Sequence, residues 1–208
     1  MAWFEPLVTA LALHSAMAGD APRVRIALAL DTRLPDAAAR YAIEESAAVW
    51  APYHVDIAQL NAATPCGMLD AIDAVLTVTT DGGRPRPAAS SSPFGSIRFL
   101  EDGRPEDAIV VHEQAITSVA LESILINGTH ESQWPRSLRD LIYGRIVGRV
   151  IAHEIGHWLL SREHSRDGLM RAMHSAHDLA AIGRAPFQLA AADRARLSAV
   201  FAARRERT

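Results

Sequence analysis

The chain has 208 residues, 49% of them hydrophobic and 22% charged, enough to bury one core and unlike the composition of a disordered tail. Its formal net charge of -3 gives no electrostatic reason to expect a nucleic-acid partner, and its single cysteine excludes an internal disulfide. Past the N-terminus no apolar run is long enough to span a bilayer, so stable membrane insertion is not expected.

Residues 6–18 are apolar apart from Thr9, His14 and Ser15, and Ala16-Met17-Ala18 has the small-x-small pattern of an export cleavage site. The flanking segment carries Glu5 and no Lys or Arg, so two readings stand. One is a cleaved signal and a secreted or periplasmic protein; the other is an N-terminal helix on a cytoplasmic one. Next, 24–30 reads as a buried strand, and 35–50 as an amphipathic helix with Ala39, Ile43, Ala47 and Trp50 on one side. Strands follow at 54–58, where Val55 and Ile57 alternate, and at 74–79. Glycines, prolines and a serine run make 81–93 an exposed loop. Two more strands, 97–100 and 109–111, flank the turn-forming Asp102-Gly103, and 116–126 reads as a short helix before a loop at 127–135.

From Ser137 onward Leu138, Leu141, Ile142, Ile146, Val150 and Ile151 recur at spacings of three and four, and Ile155, Trp158 and Leu159 continue the stripe. The spacing predicts a long, half-buried helix, with Ser137 as its N-cap and Asp140 standing where a capping box places Glu. Gly144, Gly148 and Gly156 lie inside it and cost about 1 kcal/mol each relative to Ala, so a closely packed neighbour is expected to offset them. A closing helix is expected at 193–202. The order of elements is α/β.

The long helix carries His153-Glu154-Ile155-Gly156-His157. A helix turns about 100° per residue, so residues i and i+4 stand one above the other with Cβ atoms roughly 5–6 Å apart. Both imidazoles can then reach one ion at roughly 2.0–2.1 Å, while Glu154 faces the open coordination position and can take a proton from water there. Zinc is the cofactor this pattern suits, and a catalytic zinc ordinarily takes three protein ligands and leaves one place open. Either His164 or Glu163 can supply the third; imidazole suits zinc well, which favours His164. Met170 follows within Gly168-Leu169-Met170-Arg171-Ala172.

Taken together, 151–172 resembles the metzincin clan of zinc peptidases, whose pattern is His-Glu-x-x-His-x-x-Gly-x-x-His followed by a methionine turn. More closely, it resembles small bacterial chains of metzincin type with His-Glu-Ile-Gly-His, a late third histidine before Ser, and Gly-x-Met-Arg-Ala. Two positions depart from the clan pattern: Leu160 stands where it has Gly, and His164 comes one residue late. The resemblance implies a metzincin-like α/β (α+β) fold. Its expected parts are a mixed twisted sheet, a long active-site helix and a small C-terminal helical subdomain. One catalytic domain over 19–208 is expected, its upper part reaching about residue 160 and its lower part 161–208. It also implies Met170 as support beneath the metal, and 96–100 as an edge strand that pairs with an extended peptide through Ile97, Arg98 and Phe99, the other reading of 96–100 being an ordinary interior strand.

The function so implied is zinc-dependent endopeptidase hydrolysis of a peptide or protein substrate, with His153, His157 and His164 as ligands and Glu154 as general base. A monomer is the expected state. The alternatives are a non-catalytic zinc-binding module on a peptidase scaffold, and a zinc hydrolase of a non-peptide amide or ester. Three further features have two readings each. Cys66 resembles the cysteine with which some metzincin precursors block their zinc, but its place inside the domain favours a buried structural thiol. His174 or His177 could hydrogen-bond a developing oxyanion, or be surface residues. Asn127-Gly128-Thr129 fits a glycosylation acceptor, a pattern that also arises by accident.

Overall fold

The computed structural model describes residues 23–60, 64, 71–82, 93–122, 129 and 131–206. The expectations for 1–18, for Cys66 and for most of 81–93 and of the Asn127-Gly128-Thr129 site fall outside these residues.

The chain opens with β1 (Val24–Asp31), α1 (Asp36–Trp50), β2 (Val55–Leu60) and β3 (Ala74–Thr80). β4 (Gly95–Phe99), β5 (Pro105–Val111) and α2 (Glu113–Glu122) follow, then the long α3 (Arg136–Leu159), the short α4 (Ala176–Ala180) and α5 (Ala191–Arg205). The five strands form one sheet in the order β2-β1-β3-β5-β4, with β4 antiparallel at the edge and the other neighbours parallel. Central strands of a parallel sheet are covered on both faces, and Ile26, Ala27 and Leu28 of β1 are accordingly buried in an unbroken run. Leu76, Val78 and Ile109 continue this core across β3 and β5.

Against the sheet, α1 and α3 lie side by side. A Cβ at Gly144 would stand 2.6 Å from the Ala38 carbonyl oxygen, and one at Gly148 2.5 Å from that of Ala42. The two glycines are four residues apart on one face, so they let the helix backbones approach, which is the offset to their low helix propensity. Trp50, fully buried at the end of α1, donates its indole N–H to the Ala152 carbonyl at 3.0 Å and fixes the register of the pair.

Two helix starts differ from the sequence expectation. α3 begins at Arg136 with Pro135 as N-cap and no side-chain cap; the Pro135 carbonyl accepts from Leu138 and Arg139 at 3.0 and 3.1 Å. Ser137 therefore lies within the first turn, because the proline already sets the entry backbone. α2 begins at Glu113, three residues before the expected start, because the Asp81 carboxylate accepts the Glu113 N–H from 32 positions away. No helix among the described residues is long and apolar enough to cross a membrane.

A buried ion-pair cluster fastens the C-terminal segment to these helices. Arg149 of α3 is fully buried; its Nε donates to Glu45 of α1 at 2.8 Å, and its other nitrogens donate to the carbonyls of Asp178, Leu179 and Gly183. Arg184 grips the second Glu45 oxygen at 2.6 Å. Each nitrogen of the Arg149 guanidinium and both Glu45 oxygens have a partner, the condition under which such a pair is tolerated.

Candidate metal centre

α3 carries His153, Glu154 and His157 in its last two turns, where it leaves the core beside β4. The helix ends at Leu160, whose φ of -108° and ψ of -59° are still right-handed. No left-handed residue is needed there, so a side chain is tolerated where the clan pattern has Gly. The bend is made instead over 161–164, and the extra residue brings His164 back toward the helix. Glu163 turns away and pairs with Arg196 of α5 at 3.1 Å. His164, and not Glu163, stands beside the two helical imidazoles.

His157 Nε2 lies 3.1 Å from His153 Nε2 and 3.2 Å from His164 Nε2, and one nitrogen from each of the three rings falls within 4.8 Å of the others. Two donors at roughly 2.0–2.1 Å from a tetrahedral ion stand about 3.3 Å apart, so the spacing suits such an ion. The tautomers sharpen the point. His153 Nδ1 is 2.7 Å from the Leu169 carbonyl, and His157 Nδ1 is 2.8 Å from that of Ser161. A carbonyl only accepts, so both Nδ1 atoms carry the hydrogen and both Nε2 atoms present lone pairs. Two lone pairs at 3.1 Å repel each other unless a cation lies between them. Burial holds His153 down to about 3 and lowers His157 as well, which keeps both rings in the neutral form a ligand needs.

Glu154 is 5% exposed and lies against the edge strand. A Cβ at Gly95 would meet Glu154 Oε1 at 3.0 Å, so the absence of one lets carboxylate and strand touch. Burial pushes this carboxyl up to about 8, with the Ile97 N–H opposing by donating to it. Ile97, Arg98 and Phe99 all lie on β4, which bonds β5 on one side and no strand on the other among the described residues. Arg98 pairs with Glu106 at 3.4 Å, and the Phe99 ring lies under the Arg162 guanidinium at 4.5 Å.

Met170 is buried against Gly156 of α3, in a turn closed by three backbone bonds: Ser165 N–H to the Met170 carbonyl, Leu169 N–H to that of Gln188 and Arg171 N–H to that of Gly168. Gly168 has φ +79°, and a side chain there would collide with the Gln188 carbonyl, so this glycine is required on both counts. His174 has both ring nitrogens engaged within the protein. It stacks on Phe187 at 4.6 Å, receives Arg171 on Nδ1 at 3.3 Å, and directs Nε2 to the Leu169 carbonyl at 3.2 Å. His177 is exposed on α4.

Several supports had no sequence signal. Asp81 Oδ2 accepts from His112 Nδ1 at 2.9 Å, and His112 Nε2 lies 3.3 Å from Ser96 Oγ, which ties the ends of β3 and β5 to the edge strand. Ser165 donates to the buried Asp193 of α5 at 2.7 Å, anchoring the segment after His164. These partners are 31, 16 and 28 residues apart, beyond the reach of any local spacing rule.

No protein-family model and no curated protein sequence matches the chain. Among solved structures it is similar to archaemetzincin from Methanopyrus kandleri, with a TM-score of 0.50 and 16% identity over 89% of this chain and 99% of that one. The fold is mixed α/β and metzincin-like, and the three histidines form a group able to hold a metal ion.

Proposed function

We propose that the protein is a zinc-dependent peptidase whose ion is held by His153, His157 and His164, with Glu154 as its general base. The observation that carries this reading is the pair of Nε2 lone pairs at 3.1 Å, each fixed by a carbonyl on the far side of its ring. Neutral nitrogen donors and a nearby carboxylate suit zinc over the harder cations. A zinc ion held there supplies Lewis acidity, activating water near neutral pH and polarising a carbonyl.

The protein's own groups do the rest. Glu154 accepts a proton from the attacking water and delivers it to the departing amine nitrogen, and its buried setting keeps its proton affinity near neutral pH. The side of β4 away from β5, which pairs with no strand among the described residues, offers backbone groups to an extended peptide, which adds to the sheet as a further strand along Ile97, Arg98 and Phe99. Met170 packs beneath the ligands and takes no part in the chemistry.

The test joins metal analysis with cleavage profiling of a mixed peptide library. The purified protein should hold one zinc per chain and cleave internal bonds, with cleavage abolished by chelation. Glu154→Ala should keep zinc and lose hydrolysis by roughly 10²–10⁴-fold. Unchanged cleavage in that variant would end the proposal. Zinc without cleavage of any peptide would favour a non-catalytic binding module.

A further inference from the structure

After β1 the chain crosses through α1 to β2 on one side, then returns to place β3 on the other side of β1. The crevice beyond the carboxyl ends of β1 and β3 is therefore the point where the winding reverses, the place where open α/β sheets take ligands. A cavity of about 480 Å³ lies there, bordered by Arg33 and Leu34 just past β1, Thr80 closing β3 and Val111 closing β5. Its size falls within the roughly 300–1,000 Å³ of small-molecule sites.

The lining has a definite chemistry. α1, α2 and α3 all begin at this edge, contributing Ala38, Ile116 and Arg136 to the wall, and the first turns of helices carry partial positive charge. Three guanidiniums, Arg33, Arg136 and Arg139, line the cavity against two carboxylates, Glu113 and Asp140. Asp140 already stands 3.8 Å from Arg136, whereas Arg33 is exposed and pairs with no acid among the described residues. The deeper wall is apolar: Ala38, Val111, Ile116 and Val147 are buried, with the half-buried Tyr143 beside them. On α3, Val147 and Glu154 are seven residues apart, about 10 Å along the axis, so the cavity and the metal centre are separate places on one helix.

We propose that this crevice binds a small organic anion, a phosphate or carboxylate carried on an apolar body, with the guanidiniums holding the charged group and Tyr143 and Val147 the body. Arginine forks match either oxyanion through paired N–H donors. The proposal is independent of zinc chemistry.

Isothermal titration of the zinc-loaded full chain with phenyl phosphate, benzoate and inorganic phosphate tests it. At least one ring-bearing anion should bind saturably at one site and more tightly than inorganic phosphate, and the arm that binds identifies the oxyanion. Replacing the exposed pair, Arg33→Ala with Arg136→Ala, should weaken that binding by roughly ten-fold or more, while His157→Ala leaves it unchanged. Neither ring-bearing anion binding at millimolar concentration, or equal affinity in the arginine variant, would overturn the inference. Binding lost in His157→Ala but kept in the arginine variant would also overturn it, since the ligand would then sit on the metal, and the peptidase reading would stand.

Discussion

Gly156 lies inside the His153–His157 motif, one residue before His157, and its replacement by alanine tests whether the methionine turn is packed against that helix. At an unobstructed helix interior Gly→Ala stabilises by about 1 kcal/mol. Here the added Cβ would land on the Met170 sulfur, 3.0 Å from its terminal methyl and 3.6 Å from Trp50 Cζ2. Met170 is 1% exposed and its neighbour Leu169 is fully buried, so the thioether has no open space to enter. Overpacking of this kind costs about 1–3 kcal/mol, which outweighs the propensity gain and leaves a net loss of up to about 2 kcal/mol. Urea unfolding of the metal-free protein measures it. Met170→Ala alone should cost about 2–5 kcal/mol, and the double variant should lose less than the sum by about 1 kcal/mol or more, because the new methyl enters the space the thioether left. A Gly156→Ala protein more stable than its parent, or strict additivity in the pair, would refute the packing argument.

His174→Phe keeps the stack on Phe187 but removes the donor to Leu169, and should weaken zinc binding by roughly 10–100-fold in a chelator competition; His174→Gln, which restores an N–H, should stay close to the parent. Glu45→Ala strands the fully buried Arg149 guanidinium and should cost about 3–5 kcal/mol in urea unfolding, whereas Arg184→Ala, removing a side chain 49% exposed, should cost far less. In the metal-free protein pH acts in two directions. His153, lowered from 6.5 to about 3, makes the unfolded chain the stronger proton binder, so its contribution is lost as pH falls from 6.5 toward 3. Glu154, raised from 4.5 to about 8, makes the folded chain the stronger binder, so its contribution is lost as pH rises from 4.5 through 8. The urea midpoint should therefore fall between pH 6.5 and 8, and Glu154→Gln should flatten that limb; a flat limb in the parent contradicts the assignment.

What could be read from residue order is what local periodicity encodes. The strand at the front of the sheet, the two helices that pack on each other and the i, i+4 histidines are each set within one short window. Both core helices were expected within a residue or two of where they occur, Asp36–Trp50 and Arg136–Leu159. Choosing between Glu163 and His164 needed something no window holds, the backbone path after Leu160, since both residues have chemistry that zinc accepts. The Glu45–Arg149 pair is 104 residues apart in sequence, and an arginine on a helix reads as a solvated face until a second helix is placed against it. Ser137 misled for the opposite reason: its side chain suits a cap, but the proline two residues earlier had already fixed where the helix begins.

Long-range contacts also set which ring nitrogen of His153 carries the hydrogen. Arg171 has only donors, so its 3.3 Å approach makes His174 Nδ1 an acceptor and places the ring hydrogen on Nε2, aimed at the Leu169 carbonyl. That carbonyl also accepts the His153 Nδ1 hydrogen, and two N–H groups on one oxygen hold it, and the ring, in place. Phe187 stacks on His174 and also meets the buried Arg149 guanidinium at 4.6 Å, so the stack rests on the Glu45 ion pair. The sequence motif supplies two imidazoles at the right spacing. The His153 tautomer, and with it a lone pair that can receive an ion, is held by a column of side chains that starts at the interface of α1 and α3, while the His157 tautomer is held by the Ser161 carbonyl.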